Sequence, residues 1–135
     1  MFTISSNGVI TITRGDTAIT ELFLNIGTEL EPVQYILKDK DCAYLGVMEP
    51  NQSFENALIR KKFTSKDVDE NGNILVTFDS IDTIFLAPGE YIYQVKLRRI
   101  EDNKEFIDTV VSRKIFNVIN WQQQLYRSKY DWKSR

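Results

Sequence analysis

An all-β fold is predicted by three features of this 135-residue chain. Short runs of β-branched and aromatic residues alternate with polar residues, which is the pattern of strands that bury one face. Turn-forming residues separate these runs at short intervals, as they do in sandwiches and barrels. Helical signals are confined to two brief segments. Together these features predict an immunoglobulin-like antiparallel β-sandwich of about seven strands, with short helical turns.

The composition is that of one ordinary globular domain. Apolar residues make up 42% and charged residues 27% of the chain, values typical of soluble proteins. No secretory signal follows Met1, and no apolar run is long enough to span a membrane, so no membrane partner is expected. The single cysteine, Cys42, excludes an internal disulfide and fits folding in a reducing cytoplasm. We predict a sandwich domain over residues 1–120 and a C-terminal tail over 121–135.

The strands are predicted from the alternation, in order along the chain. They cover residues 9–13, 17–26, 41–48, 56–63, 73–78, 90–100 and 105–118. Between the second and third, residues 27–40 are predicted to form a loop with a short strand at 34–37. Leu24 and Ile26 are expected to share the inward face of the second strand. The apolar phase slips near Ser112, which predicts a β-bulge in the last strand.

Two helical turns interrupt the strands. The first is predicted to begin at Thr64, because Thr64 and Asp67 have capping-box spacing. The second covers residues 79–86 and precedes Pro-Gly and a Tyr-x-Tyr strand start, as in the crossover before the sixth strand of immunoglobulin-like sandwiches. Tyr91 or Tyr93 is therefore expected to make a tyrosine-corner hydrogen bond, with plain core packing as the alternative for Tyr93.

The chain lacks the residues that most catalytic and cofactor-binding sites require. There is no histidine and only one cysteine, which excludes His-based nucleophile systems and the usual zinc sites. No glycine-rich phosphate loop is present. Residues 67–74 match the opening of an EF-hand loop, but Phe78 stands where the bidentate glutamate belongs. The sequence therefore predicts a binding or assembly protein without catalytic residues, cofactor or metal.

Charge is unevenly distributed between the two predicted parts. Residues 1–120 hold 13 Lys+Arg against 18 Asp+Glu, whereas residues 121–135 hold four against one. An acidic body with a basic tail indicates that the tail meets an acidic or apolar partner, for example another copy of the body. Five basic residues are predicted to line up on one outer face: Arg60, Lys62, Lys96, Arg98 and Lys114. A solvated sheet face explains them better than nucleic-acid binding, because the body is acidic.

The tail carries the residues predicted to bind a partner. Trp121, Leu125 and Trp132 recur close to one face of a helix, and large aromatic side chains are typical interface anchors. The predicted partner-binding residues are Trp121, Leu125, Tyr126, Arg127, Tyr130 and Trp132. Two uses remain open: docking on another protein, or folding back over an edge of the same sandwich.

Several stretches also resemble a known family. They are residues 15–18 (GDTA), 22–24 (LFL), 41–50 (DCAYLGVMEP), 63–74 (FTSKDVDENGNI) and 86–95 (LAPGEYIYQV). Their order resembles the small immunoglobulin-like domains of phages and prophages of Gram-positive bacteria, in particular the N-terminal domain of phage baseplate upper proteins. The resemblance covers about residues 8–119. Its matching residues are structural: Gly15, Asp16, Pro88, Gly89, Tyr91 and Tyr93.

The resemblance implies a virion protein that docks an appendage onto the baseplate core, with other virion proteins or itself as partner. Family members continue into a long helical trimerising region, where this chain has residues 121–135. A role in decorating a capsid, tail or neck is therefore a further expectation. The alternative function is a host-surface carbohydrate-binding module, which would use exposed aromatics such as Tyr35, Tyr44 and Phe54.

Overall fold

The computed structural model describes residues 1–120, and its regular structure there is mainly strand. The strands are β1 (Phe2–Ile4), β2 (Ile10–Thr13), β3 (Ala18–Leu22), β4 (Cys42–Met48), β5 (Ile59–Phe63), β6 (Ile74–Phe78), β7 (Gly89–Glu101) and β8 (Lys104–Ile119). One α-helix, α1 (Ser80–Ile84), follows β6. Short 3-10 helices lie at Phe54–Asn56 and Ser65–Asp67. None of the helices in this part of the chain is long and apolar enough to cross a lipid bilayer.

The strands form two layers of unequal size. The large sheet has the order β1-β2-β8-β7-β4-β5, and the small sheet consists of β3 and β6. The described residues thus form a curled, sandwich-like all-β fold, which confirms the predicted fold class. One pair, β2 with β8, is parallel, whereas the prediction was wholly antiparallel. β2 and β8 therefore end at the same end of the sandwich. There the chain crosses from β2 in the large sheet to β3 in the small sheet.

The core lies between the layers and follows the predicted alternation. Ile74, Val76 and Phe78 of β6 are each at most 1% exposed. They face buried residues of the large sheet, and the ring of Phe78 lies 5.5 Å from that of Phe116 in β8. Residues of β7 complete this face: Tyr91, Tyr93, Val95 and Leu97. Burying these side chains is the main stabilising contribution to the fold.

Both tyrosines of β7 combine burial with a hydrogen bond. Tyr91 Oη donates to the carbonyl oxygen of Ala87 at 2.6 Å, which confirms a tyrosine corner at this position. Tyr93 Oη donates to the carbonyl of Gly8 at 2.5 Å and so fastens the segment between β1 and β2 to β7. Burial raises the pKa of both phenols.

The segment after β3 departs from the predictions in two ways. Residues 34–37 form no strand; a single bridge pairs Gln34 with Asn25. Ile26 is 43% exposed, although it was predicted to share the buried face of Leu24. The cause is a local turn in which Asn25 Oδ1 accepts the backbone N–H of Gly27 at 2.8 Å, which breaks the strand alternation.

The predicted turns and bulge agree with the structure. Thr64 and Asp67 form a reciprocal capping box around the 3-10 helix. The pairing of β7 with β8 shifts register between Tyr93 and Val95, as expected for a bulge near Ser112. Within the bulge, Arg113 has φ of +43°. β1 was not predicted, because one partly buried residue in three gives too weak a pattern.

Candidate docking surface

The outer face of the small sheet is apolar. Ile19 pairs with Thr77 and Glu21 with Leu75, so Ile19 and Leu75 are diagonal neighbours on this face. Ile19 is 69% exposed, and Leu75 and Phe23 are each 45% exposed. Glu21, which is also exposed, lies between Ile19 and Phe23. The face is thus an apolar strip with an acidic centre.

The edges of the small sheet are open within residues 1–120. β3 and β6 pair only with each other, because β2 joins the large sheet beside β8. Each strand therefore has one edge whose backbone N–H and C=O groups make no ladder. Proteins normally cover or disrupt such edges, since they are templates for pairing with another chain.

Helix α1 lies at one end of the small sheet and carries further exposed apolar side chains. It follows β6 directly, where Phe78 pairs with Ala18. Thr83 is fully buried and its Oγ1 accepts the backbone N–H of Gly15 at 2.8 Å, which holds the helix against the start of β3. Ile81 and Phe85 point away and are 64% and 84% exposed.

We call the exposed apolar residues of the small sheet and of α1 with its C-cap the docking surface. Its members are Ile19, Phe23, Leu75, Ile81, Ile84 and Phe85. These residues were not predicted from the sequence, because each strand was expected to bury one apolar face and to expose a polar one. The available signal was that both alternating faces of residues 17–26 carry large apolar side chains, which a simple half-buried strand does not need.

The described chain ends next to the docking surface. The backbone N–H of Arg14 donates to the carbonyl of Ile119 at 2.8 Å, and Thr13 pairs with Ile119. Residue 120 therefore leaves the sandwich at the end where β3 begins. The predicted partner-binding residues lie outside the described residues: Trp121, Leu125, Tyr126, Arg127, Tyr130 and Trp132.

Comparison with protein-family models, curated proteins and solved structures found no match to this chain. Among residues 1–120, no group of three or more cysteine or carboxylate side chains is arranged to hold a metal ion.

A second surface gathers two of the three aromatics considered for carbohydrate binding. Tyr44 and Phe54, both half-buried, line a hollow of about 260 Å³ on the outer face of β4 and β5. Tyr35 does not belong to it. Tyr35 is only 8% exposed, because its Oη donates to the buried carboxylate of Asp41 at 2.5 Å.

Four of the five predicted basic residues share this outer face. Tyr44 pairs with Lys62 on one side and Lys96 on the other. Arg60 lies opposite Gly46, and Arg98 lies one alternate position beyond Lys96.

The fifth basic residue, Lys114, was placed wrongly. It pairs with Tyr93, whose side chain is buried, and its stem lies beside Gly8. The bulge in β8 shifts the alternation at this point, so the stripe predicted from a regular strand does not continue there.

Proposed function

We propose that this protein is a structural component of a phage virion and assembles by docking residues 121–135 of one copy onto the docking surface of a neighbouring copy. The small sheet carries the proposal, since it has an exposed apolar outer face and two open edges. Contiguous exposed apolar surface marks sites of protein–protein contact. The virion setting is supported by the sequence resemblance to immunoglobulin-like phage domains.

Charge and composition match the tail to this surface. The tail carries four Lys+Arg against one Asp+Glu, and two exposed carboxylates belong to the same elements as the docking surface: Glu21 in β3 and Asp79 at the N-cap of α1. Trp121 and Trp132 supply large apolar anchors, which are frequent at the centres of interfaces. Opposite charges at the rim favour encounter and register, while burial of the anchors supplies affinity.

The tail is long enough to reach a neighbour. Ile119, close before it in the chain, lies beside Arg14. Fully extended, residues 121–135 span up to about 50 Å at ~3.3 Å per residue. This length also reaches the segment's own sandwich, and the oligomeric state distinguishes the two arrangements.

Light scattering coupled to size-exclusion chromatography tests the docking. We expect the full-length protein to form a defined oligomer, and Ile19→Ser to weaken it because the side chain is removed from the centre of the surface. The double variant Trp121→Ala/Trp132→Ala should weaken it equally. Ile107→Ser is the matched control, since Ile107 is a 56% exposed strand isoleucine on the opposite sheet.

Two results would contradict the docking proposal. One is a full-length protein that stays monomeric at all concentrations; the other is an oligomer that neither variant weakens. The virion setting has its own test, because docking does not require a phage. Mass spectrometry of purified phage particles from the source should detect this chain, and its absence from them would exclude a structural virion role.

A further inference from the structure

The hollow on the large sheet is a shaped site on an otherwise solvated strand face. Gly46 forms its floor, and the Phe54 ring lies directly on that glycine: a Cβ atom at position 46 would come within 2.8 Å of Phe54 Cε1. Tyr44 lies at the next alternate position of β4. Two half-buried aromatic side chains, with Gly46 buried beneath the Phe54 ring, provide flat apolar surfaces on which a sugar ring is able to stack.

Three cations at the hollow form no ion pair with a carboxylate within residues 1–120, whereas Lys61, which also lines it, pairs with Asp82. The ion pairs in this part of the chain use Lys61, Arg98 and Arg99, together with the N-terminal amine. Arg60, Lys62 and Lys96 are not among them.

Glu55 supplies the one carboxylate at the rim. A hydrogen bond with Ser53 and, more weakly, the charge of Lys96 lower its pKa. With Glu55 ionised, the three unpaired cations leave a local balance of +2 in a body whose own balance is acidic.

Arg60 is already held in position. Its Nε donates to the carbonyl of Ala57 at 3.0 Å, and its Nη2 donates to the carbonyl of Glu55 at 2.9 Å. A guanidinium has five N–H donors, so three remain for a ligand. Preorganised donors bind anions with less loss of conformational freedom than a free side chain does. Lys96 Nζ lies 5.3 Å from the centre of the Phe54 ring, which places a second cation against the aromatic wall.

We propose that this hollow binds an anionic carbohydrate: a sugar or polyol polymer whose carboxylate or phosphate groups meet Arg60, Lys62 and Lys96 while a ring or chain carbon lies against Tyr44 and Phe54. The inference is independent of the docking proposal, because the hollow lies on the large sheet and the docking surface on the small sheet and α1. The sequence suggested Tyr44 and Phe54 separately from the basic residues; their juxtaposition appears only in the fold.

An NMR titration of the full-length protein tests this site and distinguishes its ligands. The probes are an oligogalacturonate (carboxylate), a glycerol phosphate oligomer (phosphate) and a neutral malto-oligosaccharide of equal length. We expect one or both anionic probes to shift the amide signals of Tyr44, Gly46 and Phe54. Lys62→Gln/Lys96→Gln should lower the affinity about tenfold or more, since two charge-assisted contacts are lost.

Lys104→Gln is the control for a lost charge, because Lys104 lies in the remote β7–β8 hairpin; it should change the affinity less than twofold. Three outcomes would each overturn the proposal. They are no binding of either anionic probe, equal binding of the neutral probe with no effect of the lysine variants, and shifts that map outside the hollow. Failure here leaves the oligomer measurements untouched.

Discussion

Two fully buried threonines differ in a single hydrogen bond. Thr83 Oγ1 accepts the backbone N–H of Gly15, whereas Thr13 Oγ1 has no partner within residues 1–120. A buried polar group without a partner costs free energy on folding, and a satisfied one costs free energy when its partner is removed.

Replacement of each threonine by valine should therefore have opposite effects. Thr13→Val should raise the free energy of unfolding by about 1 kcal/mol, because an unpaired hydroxyl leaves the core without a change of shape. Thr83→Val should lower it by about 1–3 kcal/mol, because the N–H of Gly15 is left unpaired. Urea denaturation of both variants checks this, and equal destabilisation by the two would contradict it.

Asp41 is a buried carboxylate that connects the loop before β4 to β7 by hydrogen bonds. It is 1% exposed and accepts from Tyr35 Oη, from Lys38 N at 2.9 Å and from Ile100 N at 3.1 Å. Burial raises the pKa of Asp41, but these hydrogen bonds, led by that of Tyr35, outweigh burial and hold it below its ordinary value. Burial and the same contact raise the pKa of Tyr35.

This lowered pKa fixes the sign of a pH effect. Since the folded pKa of Asp41 lies below the unfolded value near 3.8, its contribution is present above that value and is lost as pH falls through the folded pKa. Asp41→Asn should cost about 1–3 kcal/mol near neutral pH, and its difference from wild type should shrink below about pH 4. Denaturation curves from pH 2 to 7 measure this; a pH-independent difference would show that the charge is unimportant.

At the scale of elements, alternation predicted most of the strands because one face of each is buried. The buried residues of β6 and β7 follow a period-two pattern that the sequence itself displays. The buried residues of the loop after β3 could not be predicted in this way, because Tyr35 and Leu37 reach the core without belonging to a strand ladder. Lys114 was assigned to the wrong face although a bulge was predicted near Ser112, because the alternation was continued through the bulge as in a regular strand.

The β7–β8 hairpin shows how a turn sets this register. Asp102 and Asn103 have φ of +50° and +63°, which is the backbone of a type I′ turn. Asn103→Gly should raise the free energy of unfolding by up to about 1 kcal/mol, because glycine adopts this conformation without steric cost. Asn103→Val should lower it by about 1–2 kcal/mol. Thermal denaturation of the pair checks the turn type, and an unchanged stability in both would argue against it.

For the whole molecule, the sequence predicted the class of fold but not the imbalance between its layers. Strand count and turn spacing led to the sandwich, yet the small sheet has two strands because β2 pairs with β8 instead of β3. The pairing partner of β2 is set by tertiary structure, and the local sequence pattern of β2 does not predict it. The open edges of the small sheet follow from it. The tail was recognised from its tryptophans, whereas the surface it is proposed to meet was not.

The proposed assembly is tested most directly by mixing two variants, each defective in one half of the contact. Ile19→Ser keeps the tail and loses the docking surface, and Trp121→Ala/Trp132→Ala keeps the surface and loses the tail. Each variant alone should be monomeric by light scattering. An equimolar mixture should form heterodimers, because one intact tail still meets one intact surface. A mixture that stays monomeric, although the wild type assembles, would contradict docking of the tail of one copy onto the surface of another.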